Sequence, residues 1–424
     1  MVGPVSAEEF ARLMAPLGPW PEDRRIAVAV SGGADSLALA LLTQGWGAPF
    51  AFVIDHGLRP ESADEAAVTE TRLRGLGIPV RLVRLAGLAP GAGLAARARA
   101  ARYAALFALC RAEGLADLLL GHHLRDQAET VLIRRLGASG EAGLAGMAAV
   151  VEAEDARLVR PLLGVAPGRL RATLRAAGLD WVEDPSNRDP RALRARLRLG
   201  LDDPDGTGPE TAALSAEAMA HGRERRDREA AIAAWLAARA TIRPEGFAVL
   251  DAESAPQEAL AALLRMLGGH PYPPRGAALR GMAAALCPGT LAGIRIAPAG
   301  RLGSGWLLAR EAAALAPPVP ALPGAVWDGR FRLRAGAVPP PAAWRGATLG
   351  ALGDAAARFR HRSGLPAMVL RTLPALRVEE TLVAVPHLGY PFPDSCAAVP
   401  LVFAPLVPAA GAVFLAPDTL PVLR

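Results

Sequence analysis

The sequence contains no lysine: all 47 residues of its Lys+Arg total are arginine. That absence excludes mechanisms that need a side-chain amine. A Walker-A phosphate loop places its lysine on the β/γ-phosphates, a protein kinase uses a strand lysine, and Schiff-base chemistry needs an amine nucleophile. Codon drift from Lys to Arg, in keeping with heavy Ala, Gly and Pro usage, accounts for the bias without a functional cause; the exclusion stands either way. Cysteine is nearly as scarce. Cys110, Cys287 and Cys396 stand far apart with no C-x-x-C pair, which argues against a disulfide scaffold, a zinc ribbon and a cysteine-held iron–sulfur cluster. No run of about 18 uncharged apolar residues occurs. Glu8, Glu9 and Arg12 do not follow the basic-then-apolar layout of a signal peptide. A cytoplasmic protein is expected.

What is present is globular: 424 residues, 52% hydrophobic and 21% charged, enough for two to three domains. The net charge of +6 points to a polyanionic partner. The first half alternates short apolar runs with helical stretches, the pattern of an α/β, doubly wound, mostly parallel sheet. Strands are expected at residues 26–30, 50–54, 80–85, 117–120 and 158–163. Helices are expected at 34–43, 63–76, 95–113, 125–136 and 167–177. Pro204, Gly206, Gly208 and Pro209 read as a linker, and residues 317–323 as a second proline break. The expected organisation is a catalytic domain over 1–203, a mainly helical domain over 210–315 and a small mixed α/β domain over 324–424.

Directly after the first strand comes Ser31-Gly32-Gly33-Ala34-Asp35-Ser36. Two glycines at a strand-to-helix turn let the backbone approach a phosphate, and the helix start offers free N–H groups and its positive dipole end. Ser31 and Ser36 add hydroxyl donors. Asp35 supplies a hard oxygen suited to Mg²⁺ among phosphates. The alternative is an ordinary βα turn in which Asp35 or Ser36 caps the helix.

This motif resembles the signature of the N-type ATP pyrophosphatases (the PP-loop superfamily), which cut ATP between its α- and β-phosphates. Further segments are similar to the tRNA(Ile)-lysidine synthetases within that superfamily. They are Asp55-His56-Gly57-Leu58-Arg59, Ala98-Arg99 with Arg102-Tyr103, Gly121-His122-His123, Asp126-Gln127-Ala128-Glu129-Thr130, Gly143-Leu144-Ala145-Gly146-Met147, Arg160-Pro161-Leu162-Leu163 and Glu183-Asp184-Pro185-Ser186-Asn187. Order and spacing agree over roughly residues 25–200. A weaker echo runs through Gly364-Leu365-Pro366, Leu373-Pro374-Ala375-Leu376 and Leu382-Val383-Ala384-Val385.

The resemblance implies ATP and Mg²⁺ as cofactors, with tRNA(Ile) bearing a CAU anticodon and free L-lysine as partners. It implies a tRNA-binding second domain; no membrane is expected, from the lack of a long apolar run, and a homodimer is left open. The implied reaction has two steps. The carbon-2 oxygen of the wobble cytidine attacks the α-phosphate and pyrophosphate leaves; then the lysine ε-amine attacks carbon 2 and expels AMP, giving lysidine.

Residue roles follow with their alternatives. Ser31, Gly32, Gly33, Ala34, Asp35 and Ser36 would hold the nucleotide, with Asp35 also on the metal. Asp55 and His56, at the end of the second strand, would border adenine and ribose, or else cap a turn and lie on the surface. Asp126 and Glu129 share a helix face at (i, i+3) and would bind the amine; acids in a first turn also favour the helix dipole. Arg99 is placed near the ligands by the resemblance, although a solvated basic face is the default for its helix. His122 would orient a substrate or relay a proton near neutral pH, or be structural. Arg191, Arg194 and Arg198 recur at helical spacing and would reach an RNA phosphate, with Leu193 and Leu197 on the opposing apolar side.

Three positions depart from the family pattern. Arg125 stands where an Asp usually precedes Asp126, Gly137-Ala138-Ser139-Gly140 replaces Arg-Gly-Ser-Gly, and Ala195 replaces an Asn. Two other functions compete. A PP-loop tRNA thiolase would need a cysteine pair near the site, and only Cys110 lies in that domain. A non-catalytic tRNA-binding protein on the same fold is disfavoured by intact Asp35, Asp126 and Glu129.

Overall fold

A computed structural model of the chain describes residues 3–88, 91, 93–153, 155–183, 193–334, 345–390, 401–411 and 414–415. It divides into two compact units, residues 1–228 with 412–424 and residues 229–411.

In the first unit the chain alternates strand and helix: α1 (Ala7–Met14), β1 (Arg25–Ala29), α2 (Ala34–Gln44), β2 (Ala48–Asp55), α3 (Ser62–Gly75), β3 (Val80–Arg84), α4 (Leu94–Glu113), β4 (Asp117–Leu119) and α5 (Leu124–Leu136). Then follow α6 (Glu141–Leu144), β5 (Val150–Glu152), β6 (Arg157–Val159), α7 (Pro167–Ala176), α8 (Leu193–Leu201) and α9 (Pro209–Arg239). The sheet runs β3-β2-β1-β4-β6-β5. Its pairs are parallel except β5 with β6.

Successive strand residues enter different cores, as the two-residue period requires. Ile26 and Val28 of β1, with Ala51 and Val53 of β2, join a cluster with Leu37 and Leu39 of α2. Ala27 and Phe52 join a second cluster with Leu106 and Cys110 of α4. Both faces are covered, which is why these strands read as apolar runs. The core strands and helices lie within one or two residues of their expected positions. The exception is the last parallel strand, which ends at Val159 because residues 161–164 turn away.

Strand β1 is flanked by β2 on one side and β4 on the other. The strand order reverses there, so the carboxyl ends of β1 and β4 open a crevice. Loop 31–36 leaves one end and Gly121 the other.

The division of the chain corrects the expected three domains. Residues 204–209 are no linker. Asp203 ties them into a turn, accepting from the N–H groups of Thr207 at 3.0 Å and Gly208 at 2.8 Å, and α9 then continues past residue 228, where the first unit ends. The second proline break is also no linker: Val319–Pro320 is an edge strand paired with Thr348–Ala351, a position where a missing N–H is tolerated.

The stretch expected to be mainly helical contains nearly all of α9 together with α10 (Gln257–Gly268) and α11 (Ala277–Ala284), but after α9 it also holds five strands: β7 (Ala240–Arg243), β8 (Phe247–Leu250), β9 (Gly289–Leu291), β10 (Ile294–Pro298) and β11 (Trp306–Arg310). They form an antiparallel sheet ordered β7-β8-β11-β10-β9. Two further small sheets complete the second unit. Arg310 and Arg330 pair there with Asp328, all three buried.

Gly121 is where β4 meets the phosphate-loop region. A Cβ there would lie 3.0 Å from the Ser36 nitrogen and 3.1 Å from the carbonyl carbon and oxygen of Asp35. These are backbone atoms, so the loop itself must move. Gly121→Ala is expected to cost about 1–3 kcal/mol, as overpacking does. That lowers the melting temperature by several degrees, at about 2–4 °C per kcal/mol for a unit of this size. Thermal unfolding checks it, and an unchanged midpoint would contradict the close approach.

Candidate active site

Loop 31–36 is held by its own side chains. Ser36 Oγ accepts from the Ser31 N–H at 3.1 Å, donates to the Gly33 carbonyl at 3.1 Å and lies 3.2 Å from Ser31 Oγ. Gly32 has φ +87°, and a Cβ there would collide with the Thr69 hydroxyl, so only glycine fits. The loop is also fastened from outside, where the Val182 N–H donates to the Gly32 carbonyl at 3.0 Å.

Gly33 is the N-cap of α2, and no side chain caps that helix. The ordinary-turn alternative required a cap from Asp35 or Ser36, and neither supplies one. The free amides and dipole of α2 are thus left for an anion.

A cavity of about 240 Å³ lies at this crevice. Ser31, Gly33, Asp35, Ser36, His56, His122, His123, Asp126, Arg102 and Arg198 are among the residues that line it. Asp35 Oδ1 is buried with no hydrogen-bond partner among the described residues. Its Oδ2 is 3.4 Å from His123 Nε2, which is also 3.6 Å from Asp126 Oδ2. His123 precedes α5, and its backbone N–H donates to Asp126 Oδ2 at 3.0 Å.

Burial is the largest influence on both His123 and Asp126 and opposes charge on each. Their neighbours together outweigh it: Asp126 and Asp35 raise the His123 imidazole pKa, while His123, His122, the His123 N–H and Arg198 hold the Asp126 carboxyl below the usual carboxylate range. His122 differs: burial dominates, with Arg160, Arg194 and Arg102 adding to it against Asp126, and its pKa falls to about 4. It is neutral at pH 7. The expected proton relay near neutrality gives way to a neutral imidazole, whose Nδ1 is buried with no hydrogen-bond partner among the described residues.

Glu129 has no exposed surface, whereas Asp126 lines the cavity. Arg198 of α8 reaches both acids, with Nε 2.6 Å from Glu129 Oε1 and an Nη 3.2 Å from Asp126 Oδ1. Arg125 adds a second guanidinium, its Nε 3.8 Å from Glu129 Oε1 and its Nη donating to the Arg198 carbonyl at 3.3 Å.

Several sequence expectations change here. Arg198 turns inward to the carboxylates, whereas Arg194 is exposed, though close enough to act on the charge of His122. Arg191 and the turn 184–187 lie outside the described residues. The buried residue of α8 is Ala195, at 4% exposure, while Leu193 is 39% exposed, so the apolar side of this helix is not the one expected. Asp55 does not line the cavity: its Oδ1 accepts from the Gly57 N–H at 2.8 Å and the Ser62 hydroxyl at 2.6 Å, the turn-capping alternative. Arg99 is exposed, lying 5.0 Å from the Tyr103 ring centroid. Arg102, one turn on, lines the cavity instead.

His123, Arg102 and Gly121 do not stand out in the sequence as site residues, although each sits inside a segment that carries the resemblance. Cys110 is buried and its thiol is pushed up to about 12, unreactive at neutral pH. That removes the cysteine a thiolase reading had in this domain.

Residues 4–203 match the PP-loop domain family ATP_bind_3. A tRNA(Ile)-lysidine synthase of Ruegeria pomeroyi is 35% identical over 384 residues, covering 86% of this chain and 89% of that protein. This chain belongs to the tRNA(Ile)-lysidine synthase family. Proteins of that name from a Bradyrhizobium strain and from Rhodopseudomonas palustris are 42% and 45% identical over 52% and 46% of this chain. The chain spans 66% and 57% of the length of those two relatives.

Two measurements check the charge arrangement. Removing one partner of a buried pair strands the other, so Arg198→Ala should destabilise by up to about 3–5 kcal/mol. Adding Glu129→Gln should recover part of that loss; additive effects in chemical unfolding would contradict the pairing. The second concerns His122. Its folded pKa of about 4 lies below its ordinary 6.5, so between those values the unfolded chain binds a proton that the folded chain does not. Stability should therefore fall as pH drops from about 6.5 towards 4. In His122→Asn that slope should shrink, and an identical slope would refute the burial of a neutral ring.

Proposed function

We propose that the chain is an ATP-dependent, RNA-modifying ligase that joins L-lysine to carbon 2 of the wobble cytidine of tRNA(Ile) bearing CAU. AMP and pyrophosphate are released. One observation carries the reading: an uncapped helix start behind the 31–36 loop shares a crevice with the amine-compatible carboxylate of Asp126, in a chain without lysine. The named relatives support the same activity.

Loop 31–36 and the first amides of α2 hold the departing phosphates. Asp35 fits a divalent cation such as Mg²⁺, because its Oδ1 is a hard oxygen without a protein partner among the described residues. No group of three metal-ligating side chains occurs among the described residues; with Asp35 as its protein ligand, the cation would take further oxygens from the phosphates and water. When bound, the cation neutralises phosphate charge. In the first step the cytidine carbon-2 oxygen bonds to the α-phosphorus and pyrophosphate leaves. In the second the lysine ε-nitrogen bonds to carbon 2, and AMP leaves with that oxygen.

Asp126 orients the amine, since a carboxylate has capacity beyond its bonds to Arg198 and His123. Glu129 acts at one remove, as the counter-ion that seats Arg198. His122, neutral at pH 7, accepts or donates a hydrogen bond beside them. An anticodon base is already unpaired, so little unstacking is needed to present it. The cytoplasm is the proposed location; among the described residues no helix is long and apolar enough to cross a membrane.

The test is incubation with ATP, labelled lysine and tRNA(Ile) bearing CAU. Label retained on the RNA with AMP and pyrophosphate as products is expected; ADP and phosphate as the RNA-dependent products would overturn the reading. Asp35→Ala should abolish turnover. Asp126→Asn should raise the KM for lysine about 10- to 100-fold, the loss of a charge-assisted hydrogen bond of about 1.5–3 kcal/mol, with ATP binding little changed. An unchanged lysine KM would return Asp126 to a purely helix-capping role.

A further inference from the structure

The second unit contains a cavity of about 480 Å³ that the chemistry above does not use. Its apolar wall is formed by Leu302, Phe359, Leu365 and Leu388. Phe359 is 5% exposed and packs in the core of this unit. On either side of it in sequence, Arg358, Arg360 and Arg362 are exposed and pair with no acid among the described residues. Arg362 and Arg243 line the cavity, and Arg301 is held beside it by donating to the Leu365 carbonyl at 3.0 Å. The nearby acids are few: Asp354 is taken by Arg371, and Glu245 lies 3.8 Å from Arg243.

Within the lining, Glu245 Oε2, Ser363 Oγ and His387 Nδ1 are buried with no hydrogen-bond partner among the described residues. His387 Nε2 lies 3.0 Å from the Pro244 carbonyl. That nitrogen therefore carries the proton, leaving Nδ1 as an acceptor.

These features match one kind of occupant. Inorganic phosphate uses the arginines but not an apolar wall, and a greasy ligand has no use for unpaired guanidinium groups. A base-paired duplex offers phosphates but no free base. An unpaired nucleotide uses everything: its phosphates meet the guanidinium forks, its base fills the apolar hole, and its edge meets the unsatisfied polar atoms. We propose that this cavity binds one unpaired nucleotide of an RNA, with the flanking phosphates on Arg358, Arg360 and Arg362. The identification of the RNA as substrate rests on the function proposed above; the pocket itself does not.

The test uses the full chain and a fluorescent single-stranded hexaribonucleotide, with a blunt duplex of the same sequence and a polyglutamate peptide as competitors. The single strand should bind at least ten-fold tighter than either competitor. Arg360→Ala with Arg362→Ala should weaken it at least ten-fold, and reduce the log–log salt slope by about 0.7 for each phosphate that is no longer neutralised. Unaltered melting would confirm that the variant folds. Equal competition by the duplex or the peptide, or unchanged binding in the variant, would overturn the proposal. Lysidine formation on an isolated anticodon stem-loop separates the two readings. If it proceeds while hexamer binding ignores Arg360 and Arg362, only the pocket falls; if it fails while hexamer binding follows them, only the reaction falls.

Discussion

Charge compensation in the crevice between β1 and β4 is the constraint on which the rest depends. Asp126 and Glu129 are both buried, and an isolated buried carboxylate is prohibitively costly unless it meets a cation. His123 meets Asp126 and Asp35; Arg198 meets Asp126 and Glu129. The second pairing spans 69 residues of sequence, so it fixes where α8 lies against α5. The pairing that satisfies the acids also brings Arg198 into the cavity lining, and loop 31–36 joins the network through Asp35.

The same constraint explains one of the three departures from the family pattern. Arg125 brings positive charge beside Glu129 and holds the backbone of α8 through the Arg198 carbonyl, so it extends the compensation. Ala195 is the buried residue of α8. Ala138 takes φ +49°, the conformation that favours the glycine usual at that position. The structure shows nothing that replaces the missing arginine at 137.

Much of the first unit was legible because its physics is local. Doubly covered strands are apolar runs, the phosphate loop is a contiguous hexapeptide, and Asp126 and Glu129 share a face by helical spacing alone. What escaped was set by tertiary packing. Helical periodicity put Arg194 and Arg198 on one face but could not say which of them meets an acid from another helix. Arg99 and Arg102 are a turn apart on a helix with arginines on several sides, and only packing selects Arg102. Asp55 satisfies a turn because Ser62 happens to return beneath it. In the second half, short strands rich in Ala, Leu and Ile share their composition with the helices beside them, so the antiparallel sheet had no distinct signature.

The central claim is that nucleotide and amine meet in one crevice, phosphates on loop 31–36 and amine on Asp126. A crystal structure of the chain with α,β-methylene ATP and L-lysine tests it most directly, because that analogue cannot be split between its α- and β-phosphates. The account predicts the triphosphate on the amides of residues 31–36 and the lysine ε-nitrogen within hydrogen-bond distance of the Asp126 carboxylate, with Arg198 still on Glu129. A nucleotide bound away from that loop, or a lysine amine that does not touch Asp126, would contradict it.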